Sequence, residues 1–265
     1  MSDEDAVLLD VEDGVATLTV NRPDVRNALT HEVSRGILDA LDEVEGSDAR
    51  CLVVTGAGGA FSAGGDVNAM AERLAGDVPL AEAVERIVQD TSRAITRVAR
   101  FSLPTVAKID GVAFGAGANL AVACDVQLAS EESKISFGFR QVGLAVDSGT
   151  SYFLPRIVGE NTAKELVLTG ELVEADRAES LGLFNHVYPE SEFDERAAEF
   201  VEEIATGPTV ALKTSKRLVG QGFESTLDQA MENEAAAQAA VFETHDHREG
   251  AESFMGREEP DFEGW

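Results

Sequence analysis

The chain has 265 residues, of which 44% are hydrophobic, and its formal net charge at pH 7 is −28. This length can bury the core of one domain with an appendage. A strongly acidic chain is repelled by nucleic-acid phosphates and by anionic membrane surfaces, so the charge argues against both as partners. The acidic residues are dispersed and lysine is scarce, which favours a halophilic protein over an ordinary acidic cytosolic one, because high salt screens self-repulsion.

The cysteines and the N-terminal sequence indicate where the protein works. Cys51 and Cys124 lie in apolar contexts without metal or redox spacing, and we predict buried free thiols in a reducing compartment. No spacing predicts a metal site. No apolar run reaches the length of a membrane span, and the N-terminus, with Asp3, Glu4 and Asp5, is acidic, unlike a signal peptide. We therefore expect a cytoplasmic protein.

The first half of the chain alternates predicted strands and helices. Residues 15–20 alternate apolar and polar side chains and predict a strand, and a helix is predicted over 30–44 with Thr30 as N-cap and Gly46 just past its end. An apolar strand over 51–55 stops at Gly56, the first residue of a glycine-rich turn that ends at Gly65. A polar, mobile segment is predicted for 68–79 and an amphipathic helix for 81–100.

The second half repeats this alternation and then becomes helical. A buried strand over 104–109 leads into a second glycine-rich turn, 111–117, and a helix of small apolar residues that ends near Cys124. Short strands are predicted at 126–129 and 135–137, and helices at 151–158 and 162–169, separated by Gly159. From residue 196 the pattern is helical, with breaks at 207–208 and 220–222. We predict an α/β core in residues 1–195 and a helical region in residues 196–265.

Both glycine-rich turns follow a buried strand. Glycine allows close backbone approach and positive φ, so such turns expose N–H groups, and two donors from separate loops are what an oxyanion requires. The alternative is that both are tight turns packed against neighbouring backbone. Leu120 stands where the dinucleotide-binding fingerprint needs Gly or Ala, and neither a P-loop nor a nucleophile elbow is present.

Several segments in fixed order carry a resemblance over nearly the whole chain. They are Asn21-Arg22-Pro23, Asn27-Ala28-Leu29, Ala60 to Asp66, Gly111 to Asp125, Gly159, Leu168-Thr169-Gly170, Ala178 with Gly182-Leu183, and Glu249-Gly250 with Phe254. Together they resemble the crotonase (enoyl-CoA hydratase/isomerase) family. The resemblance implies a spiral of ββα units with a C-terminal helical trimerisation region, as a homotrimer or a dimer of trimers. It implies an acyl-CoA thioester substrate, whose coenzyme A is part of the substrate, and no separate cofactor.

The same resemblance assigns the site residues. It makes the N–H groups of Ala63 and Ala116 the oxyanion donors. The loop residues that it places against the acyl-CoA are Ala63, Gly64, Asp66 and Gly115. It also makes Arg26 and, from a neighbouring subunit, Phe254 and Arg257 candidates for contact with the coenzyme A nucleotide, although surface solvation is an equal explanation for Arg257.

The acid–base residues depart from the hydratase pattern. The positions that match the two glutamates of hydratases are Asn119 and Gln141, and amides do not exchange protons near neutral pH. Each lost acid–base group typically contributes about 10²–10⁴-fold, so hydration should be weak. A nearby carboxylate, Asp147, resembles the single aspartate of the phenylacetate-pathway isomerase branch, which implies a double-bond shift or isomerisation of an epoxy or aryl acyl-CoA with Asp147 as proton shuttle. The alternative is that Asp147 caps the next helix.

Three further functions are kept as alternatives. Aryl-CoA dehalogenases also place an aspartate here, but the positions of their indole and histidine are Phe139 and Ser92, which disfavours dehalogenation. An ordinary enoyl-CoA hydratase is a second alternative. The third alternative is a homologue with diminished catalytic activity, which binds acyl-CoA without turning it over.

Overall fold

The computed structural model describes residues 5–265 and shows two β-sheets surrounded by helices. The strands are Val7–Glu12 (β1), Val15–Val20 (β2), Cys51–Gly56 (β3), Thr105–Ile109 (β4), Val112–Phe114 (β5), Val126–Ser130 (β6), Lys134–Ser136 (β7), Val173–Glu174 (β8) and His186–Tyr188 (β9). Residues 1–4, on which the signal-peptide argument partly depends, lie outside the described range.

The helices form most of the remaining structure. They are His31–Glu45 (α1), Val67–Ala75 (α2), Leu80–Arg86 (α3), Ser92–Ala99 (α4), Ala116–Ala123 (α5), Thr150–Thr169 (α6), Ala175–Ser180 (α7), Phe193–Ala205 (α8), Thr209–Gly222 (α9), Leu227–Val241 (α10) and His245–Gly256 (α11). Short 3-10 turns lie at Pro23–Val25 and Phe139–Val142, and a π-helical turn lies at Ile87–Thr91. Within residues 5–265, none of the helices is both long and apolar enough to span a membrane.

The sheets confirm the predicted spiral of ββα units. The larger sheet has the order β1-β2-β3-β4-β6-β9 and is parallel except for the β1–β2 pair. In the smaller sheet, β5 and β7 are parallel and β8 is antiparallel to β7. Strand β4 lies in the larger sheet and β5 in the smaller one, after which the chain enters α5. In the same way, β6 lies in the larger sheet and β7 in the smaller one before the chain reaches α6.

The central strands of the large sheet, β3, β4 and β6, are buried on both faces, which explains the uninterrupted apolar run in β3. Leu52 and Val54 belong to the main core with α1, α4 and α5, whereas Cys51 and Val53 face α8. This division follows the two-residue side-chain period of a strand. The residues that α8 contributes recur every four positions: Phe193, Ala197, Val201 and Ala205. Both cysteines are free and buried, as predicted, and burial raises the pKa of the Cys51 thiol to about 12.

Several local predictions are confirmed. Thr30 caps α1, because its Oγ1 accepts the Val33 N–H at 3.2 Å, and Gly46 is the C-cap. Gly159 interrupts the helical backbone of α6 with φ 76°. The break at 207–208 separates α8 from α9. The helix predicted over 81–100 is confirmed as one continuous helical run made of α3, the π-helical turn and α4.

Other predictions were wrong. The polar segment 68–79 contains the helix α2, which Asp66 caps by accepting the Asn68 N–H at 2.9 Å. α2 has no buried residue, although Val67, Met70 and Leu74 recur along it at helical spacing, so the pattern that would have predicted this helix was missed. The break predicted at 220–222 instead falls after Gly222, because the chain stays helical to that residue. The division of the chain after residue 195 stays a prediction, and α8 continues across it.

Candidate active site

The two glycine-rich turns pack directly against each other. The N–H of Ser62 donates to the Val112 carbonyl at 3.1 Å, and the N–H of Phe114 donates to the Ser62 carbonyl at 2.9 Å. A Cβ on Gly64 would lie 2.3 Å from the Phe114 oxygen, and one on Gly117 would lie 2.4 Å from the Ser62 oxygen. Glycine is therefore required at both positions by close backbone approach. The packed-turn interpretation is correct, and this packing also sets the distance between the loops.

The hydrogen bonds of the first turn change one assigned donor. The N–H of Ala63 donates to the Arg26 carbonyl at 2.8 Å, so it is not the free oxyanion donor that the resemblance implies. The N–H of Gly64 is 3.2 Å from Ser62 Oγ. Within the described part of the chain, the next N–H, that of Gly65, donates to no protein acceptor. Gly65 therefore replaces Ala63 as the candidate donor of this loop.

The second donor stays where the resemblance places it. Gly115 has φ 56° and its N–H donates to the Ser136 carbonyl at 2.8 Å. Ala116 is the first residue of α5, and first-turn N–H groups have no acceptor within their own helix. A Cβ on Gly64 would lie 3.1 Å from the Ala116 nitrogen, so the two candidate loops are adjacent. The free N–H groups of Gly65 and Ala116 are suited to hold one developing negative charge.

Asp147 lies on the segment that enters α6, and it is not the helix cap. The N-cap is Gly149, with no side-chain cap, and only the main-chain oxygen of Asp147 accepts the Thr150 N–H, at 3.0 Å. The side chain is half-buried, and among the described residues its Oδ1 has no solvent contact and no hydrogen-bond partner. Burial raises the pKa of the Asp147 carboxyl, and a hydrogen bond from the Ser148 side chain opposes this only in part. Such a group is a good candidate for proton transfer.

The two amides at the glutamate positions are both engaged in structure. Asn119 is fully buried, and its Nδ2 donates to the Asp147 main-chain oxygen at 3.0 Å and to Thr150 Oγ1 at 2.8 Å. Gln141 is exposed on a 3-10 turn, and its Nε2 donates to the Gly170 oxygen at 3.1 Å. Neither side chain can act as an acid or a base, and Asn119 instead links α5 to the segment that carries Asp147.

The remaining assigned residues lie in three places. Arg26 is exposed beside the first turn, with φ 51°, and its carbonyl accepts the Ala63 N–H. Asp66 is committed to capping α2. Phe254 and Arg257 lie one turn apart at the end of α11, where both are exposed. Their contact with a nucleotide on a neighbouring subunit stays a prediction.

Cavity volume does not locate this site. A cavity of about 610 Å³ is lined by residues of α9 and α10, including Arg217 and Asn233. Another of about 540 Å³ is lined by His31 and by residues of α2 and α3 with their flanks. Asp147, Gly65 and Ala116 line neither of these two cavities. The backbone donors and the buried carboxyl define the candidate site instead.

Comparison with known families agrees with this geometry. The sequence matches the enoyl-CoA hydratase/isomerase family model over residues 10–265. The chain belongs to the enoyl-CoA hydratase/isomerase family. The predicted family and its crotonase fold are therefore confirmed.

Relatives within the enoyl-CoA hydratase/isomerase family carry different activities. A 1,2-epoxyphenylacetyl-CoA isomerase of Escherichia coli is 34% identical over 260 residues, covering 97% of this chain and 98% of the relative. A 4-chlorobenzoyl coenzyme A dehalogenase of an Arthrobacter species is 33% identical over 231 residues, covering 84% of this chain and 80% of the relative. The crystal structure of an enoyl-CoA hydratase from Bacillus anthracis has a TM-score of 0.91 at 27% identity, covering 98% of this chain and 100% of that chain. The chain therefore belongs to an enzyme family that acts on acyl-CoA thioesters. Because its relatives catalyse different reactions, the choice between these reactions depends on the geometry of the candidate site.

Sequence reasoning missed two residues of this family site. Gly65 could not be separated from Ala63, because the acceptor that occupies the Ala63 N–H is the carbonyl of Arg26, 37 residues earlier in the chain. Thr150 carries no catalytic signal in sequence, yet its buried hydroxyl lies against both Asn119 and Asp147. Hydrogen bonds made in the folded structure, rather than residue type, identify both.

Proposed function

We propose that the protein is an enoyl-CoA isomerase that shifts a double bond through an enolate, with Asp147 as the only proton shuttle. The observation that carries this proposal is the Asp147 carboxyl, half-buried with an unpartnered Oδ1 and joined through Asn119 to the helix that begins at Ala116. The N–H groups of Gly65 and Ala116 are the proposed oxyanion donors.

The proposed reaction needs one carboxyl group and no added water. Asp147 removes a proton from the carbon next to the thioester carbonyl of a 3-enoyl-CoA, and the electron pair of that C–H bond moves into the carbonyl to form a dienolate. The two N–H donors stabilise its oxygen, an effect worth about 10²–10³-fold for one donor. The protonated carboxyl then returns the same proton to the fourth carbon, which leaves a conjugated 2-enoyl-CoA. A pKa that burial raises suits this carboxyl, because it must both take and give the proton.

The environment of Asn119 supports isomerisation over hydration. Addition of water requires acid–base groups for both the water and the carbon, and the corresponding positions hold Asn119 and Gln141. Asn119 is buried and both of its Nδ2 donors are used within the protein. Its side chain therefore has no donor left to orient a water molecule.

The substrate is proposed to be a coenzyme A thioester whose acyl group is linear and unsaturated or derived from an aromatic epoxide. The likeness to the 1,2-epoxyphenylacetyl-CoA isomerase supports the second class. We propose that Arg26, with Phe254 and Arg257 of a neighbouring subunit in a homotrimer or dimer of trimers, holds the nucleotide. Cations there would counter the repulsion between phosphates and a chain of net charge −28.

A nucleophilic role for Asp147 is the second candidate, favoured by the likeness to the 4-chlorobenzoyl coenzyme A dehalogenase. It would require attack of the carboxylate on an aryl carbon and expulsion of chloride. Phe139 and Ser92 stand at the positions of the indole and histidine that the resemblance assigns to that branch. Dehalogenation is therefore expected to be absent.

The test compares wild type with Asp147→Asn in high salt. Isomerisation of a 3-enoyl-CoA is followed by absorbance, beside hydration of a 2-enoyl-CoA and chloride release from 4-chlorobenzoyl-CoA. We expect isomerisation in wild type, a loss of about 10²–10⁴-fold in the variant, and negligible activity in the other two assays. Asp110→Asn, a change at another half-buried aspartate, should leave the rate unchanged. Hydration that survives the Asp147 substitution would overturn the proposal.

A further inference from the structure

A closed group of three contacts among Asn119, Thr150 and the Asp147 main chain joins α5 to the entrance of α6. Asn119 Nδ2 lies 3.0 Å from the Asp147 oxygen and 2.8 Å from Thr150 Oγ1, and Thr150 Oγ1 lies 3.0 Å from the same Asp147 oxygen. Asn119 is fully buried and Thr150 is 1% exposed. The amide and the hydroxyl therefore meet at one main-chain oxygen, away from solvent.

The orientation of the Asn119 amide follows from the acceptor that it faces. The main-chain oxygen of Asp147 can only accept hydrogen bonds, so the amide oxygen in that place would bring two acceptors together. Nδ2 must face Asp147. A carboxylate at position 119 has no donor to offer, so the contact is specific to an amide at this position.

The segment held by this contact needs an external restraint. Ser148 has φ 51° and Gly149 has φ 95°, so two successive residues after Asp147 lie in the left-handed region, one of them with a side chain. Such conformations cost free energy and persist when the surroundings enforce them. Without the Asn119 contact, the carbonyl of Asp147 would keep only its Thr150 donors, and the link between this segment and α5 through Asn119 Nδ2 would be lost.

We propose that Asn119 is a positioning residue, whose amide fixes the Asp147 segment against α5 and so sets the place of the Asp147 carboxyl relative to the N-terminus of that helix. This inference rests on the proposed function of Asp147. Asn119 stands three residues after Ala116, so the oxyanion donor and the restraint on the proton shuttle belong to one short helix. A displacement of about 1 Å at a reacting group can cost about 10²-fold in rate.

The experiment compares Asn119→Ala with Gln127→Ala. Gln127 is also a buried amide that donates to carbonyls of the α5 region, to Ala121 at 3.1 Å and to Cys124 at 2.8 Å, but at the opposite end of that helix. Both substitutions remove a comparable pair of buried hydrogen bonds. Only Asn119→Ala releases Asp147, so differences between the two variants report positioning rather than general stability.

Kinetics and hydrogen exchange supply the two measurements. We expect Asn119→Ala to lower kcat of isomerisation by about 10²-fold with little change in KM. The acidic limb of its pH profile should move to lower pH, because burial is the main cause of the raised pKa of Asp147 and a freed carboxyl is better hydrated. No other charged side chain of the described chain is among the causes of that shift, so removal of an amide has no competing electrostatic effect. Deuterium exchange of the Thr150 amide should accelerate in Asn119→Ala and not in Gln127→Ala.

Two further variants cover the case in which Asn119→Ala does not fold. Thr150→Ser keeps the hydroxyl and should retain both the rate and the pH profile, whereas Thr150→Val should show the defect. Unchanged exchange at Thr150 in Asn119→Ala would overturn the inference whatever the reaction, as would equal kinetic losses in Asn119→Ala and Gln127→Ala. Wild type without isomerase activity would instead contradict the proposed function, while the exchange measurement still decides the role of Asn119.

Discussion

The contact between the two glycine-rich turns can be tested by adding one methyl group to either of two glycines. Gly64 has φ +84°, and a Cβ there would lie 2.3 Å from the Phe114 oxygen, whereas ordinary van der Waals contact begins at 3.4 Å. Gly59 has φ +73° and nothing within 4 Å of its Cβ position. At either position an alanine would have to adopt the left-handed backbone conformation, which costs about 1–2 kcal/mol for a residue with a side chain. Only the change at Gly64 adds a collision with backbone.

The collision at Gly64 has a predictable magnitude. Overpacking typically costs about 1–3 kcal/mol, so Gly64→Ala should lower the free energy of unfolding by about 2–5 kcal/mol and Gly59→Ala by about 1–2 kcal/mol. Because Gly64 also lies against the Ala116 nitrogen, its displacement should disturb the pair of oxyanion donors and lower kcat by about 10²–10³-fold. Urea unfolding followed by circular dichroism, beside the isomerase assay, measures both effects. Equal losses of stability and activity in the two variants would refute the packing argument.

Three other predictions follow from the same structure. Burial raises the pKa of Asp147 above its unfolded value, so ionisation of this carboxyl destabilises the fold. Asp147→Asn should therefore be more stable than wild type at neutral pH. Urea titrations should show that this difference in stability disappears once the pH falls below about 3.8. Burial raises the pKa of Cys51 to about 12 and that of Cys124 still higher, so a thiol reagent at pH 8 should label neither before unfolding. With a net charge of −28, the melting temperature should rise with added potassium chloride; a flat dependence would contradict the screening argument.

Most of the fold could be predicted because its strands are buried on both faces. The run from Cys51 to Thr55 is apolar throughout since alternate residues face the main core and α8. The helix α2 was missed although its sequence carries the Asp66 cap and apolar residues at helical spacing, Val67, Met70 and Leu74. None of its residues is buried, so it lies outside the core on which the other predictions depend. The strand β1 was missed as well, because it is an exposed edge strand whose burial is incomplete.

The structure contradicts the sequence assignment of one oxyanion donor, Ala63, and the other assigned site residues stay predictions. The resemblance located both glycine turns and Asp147, because residue identity and spacing carry that information. Which N–H group of the first turn is free depends on where the Arg26 carbonyl falls, and no local pattern encodes this. The same limit applies to Asn119, whose sequence position indicated only the absence of a glutamate.

The amide at position 119 has a physical consequence for the reaction. A glutamate there, as the resemblance assigns to hydratases, would offer only acceptors at neutral pH to the Asp147 carbonyl that Asn119 Nδ2 contacts at 3.0 Å. An acid–base residue at 119 and the restraint on Asp147 therefore exclude each other in this geometry. The missing glutamate is then not evidence of lost catalysis, because Asn119 at that position holds the segment that carries Asp147, the proposed proton shuttle.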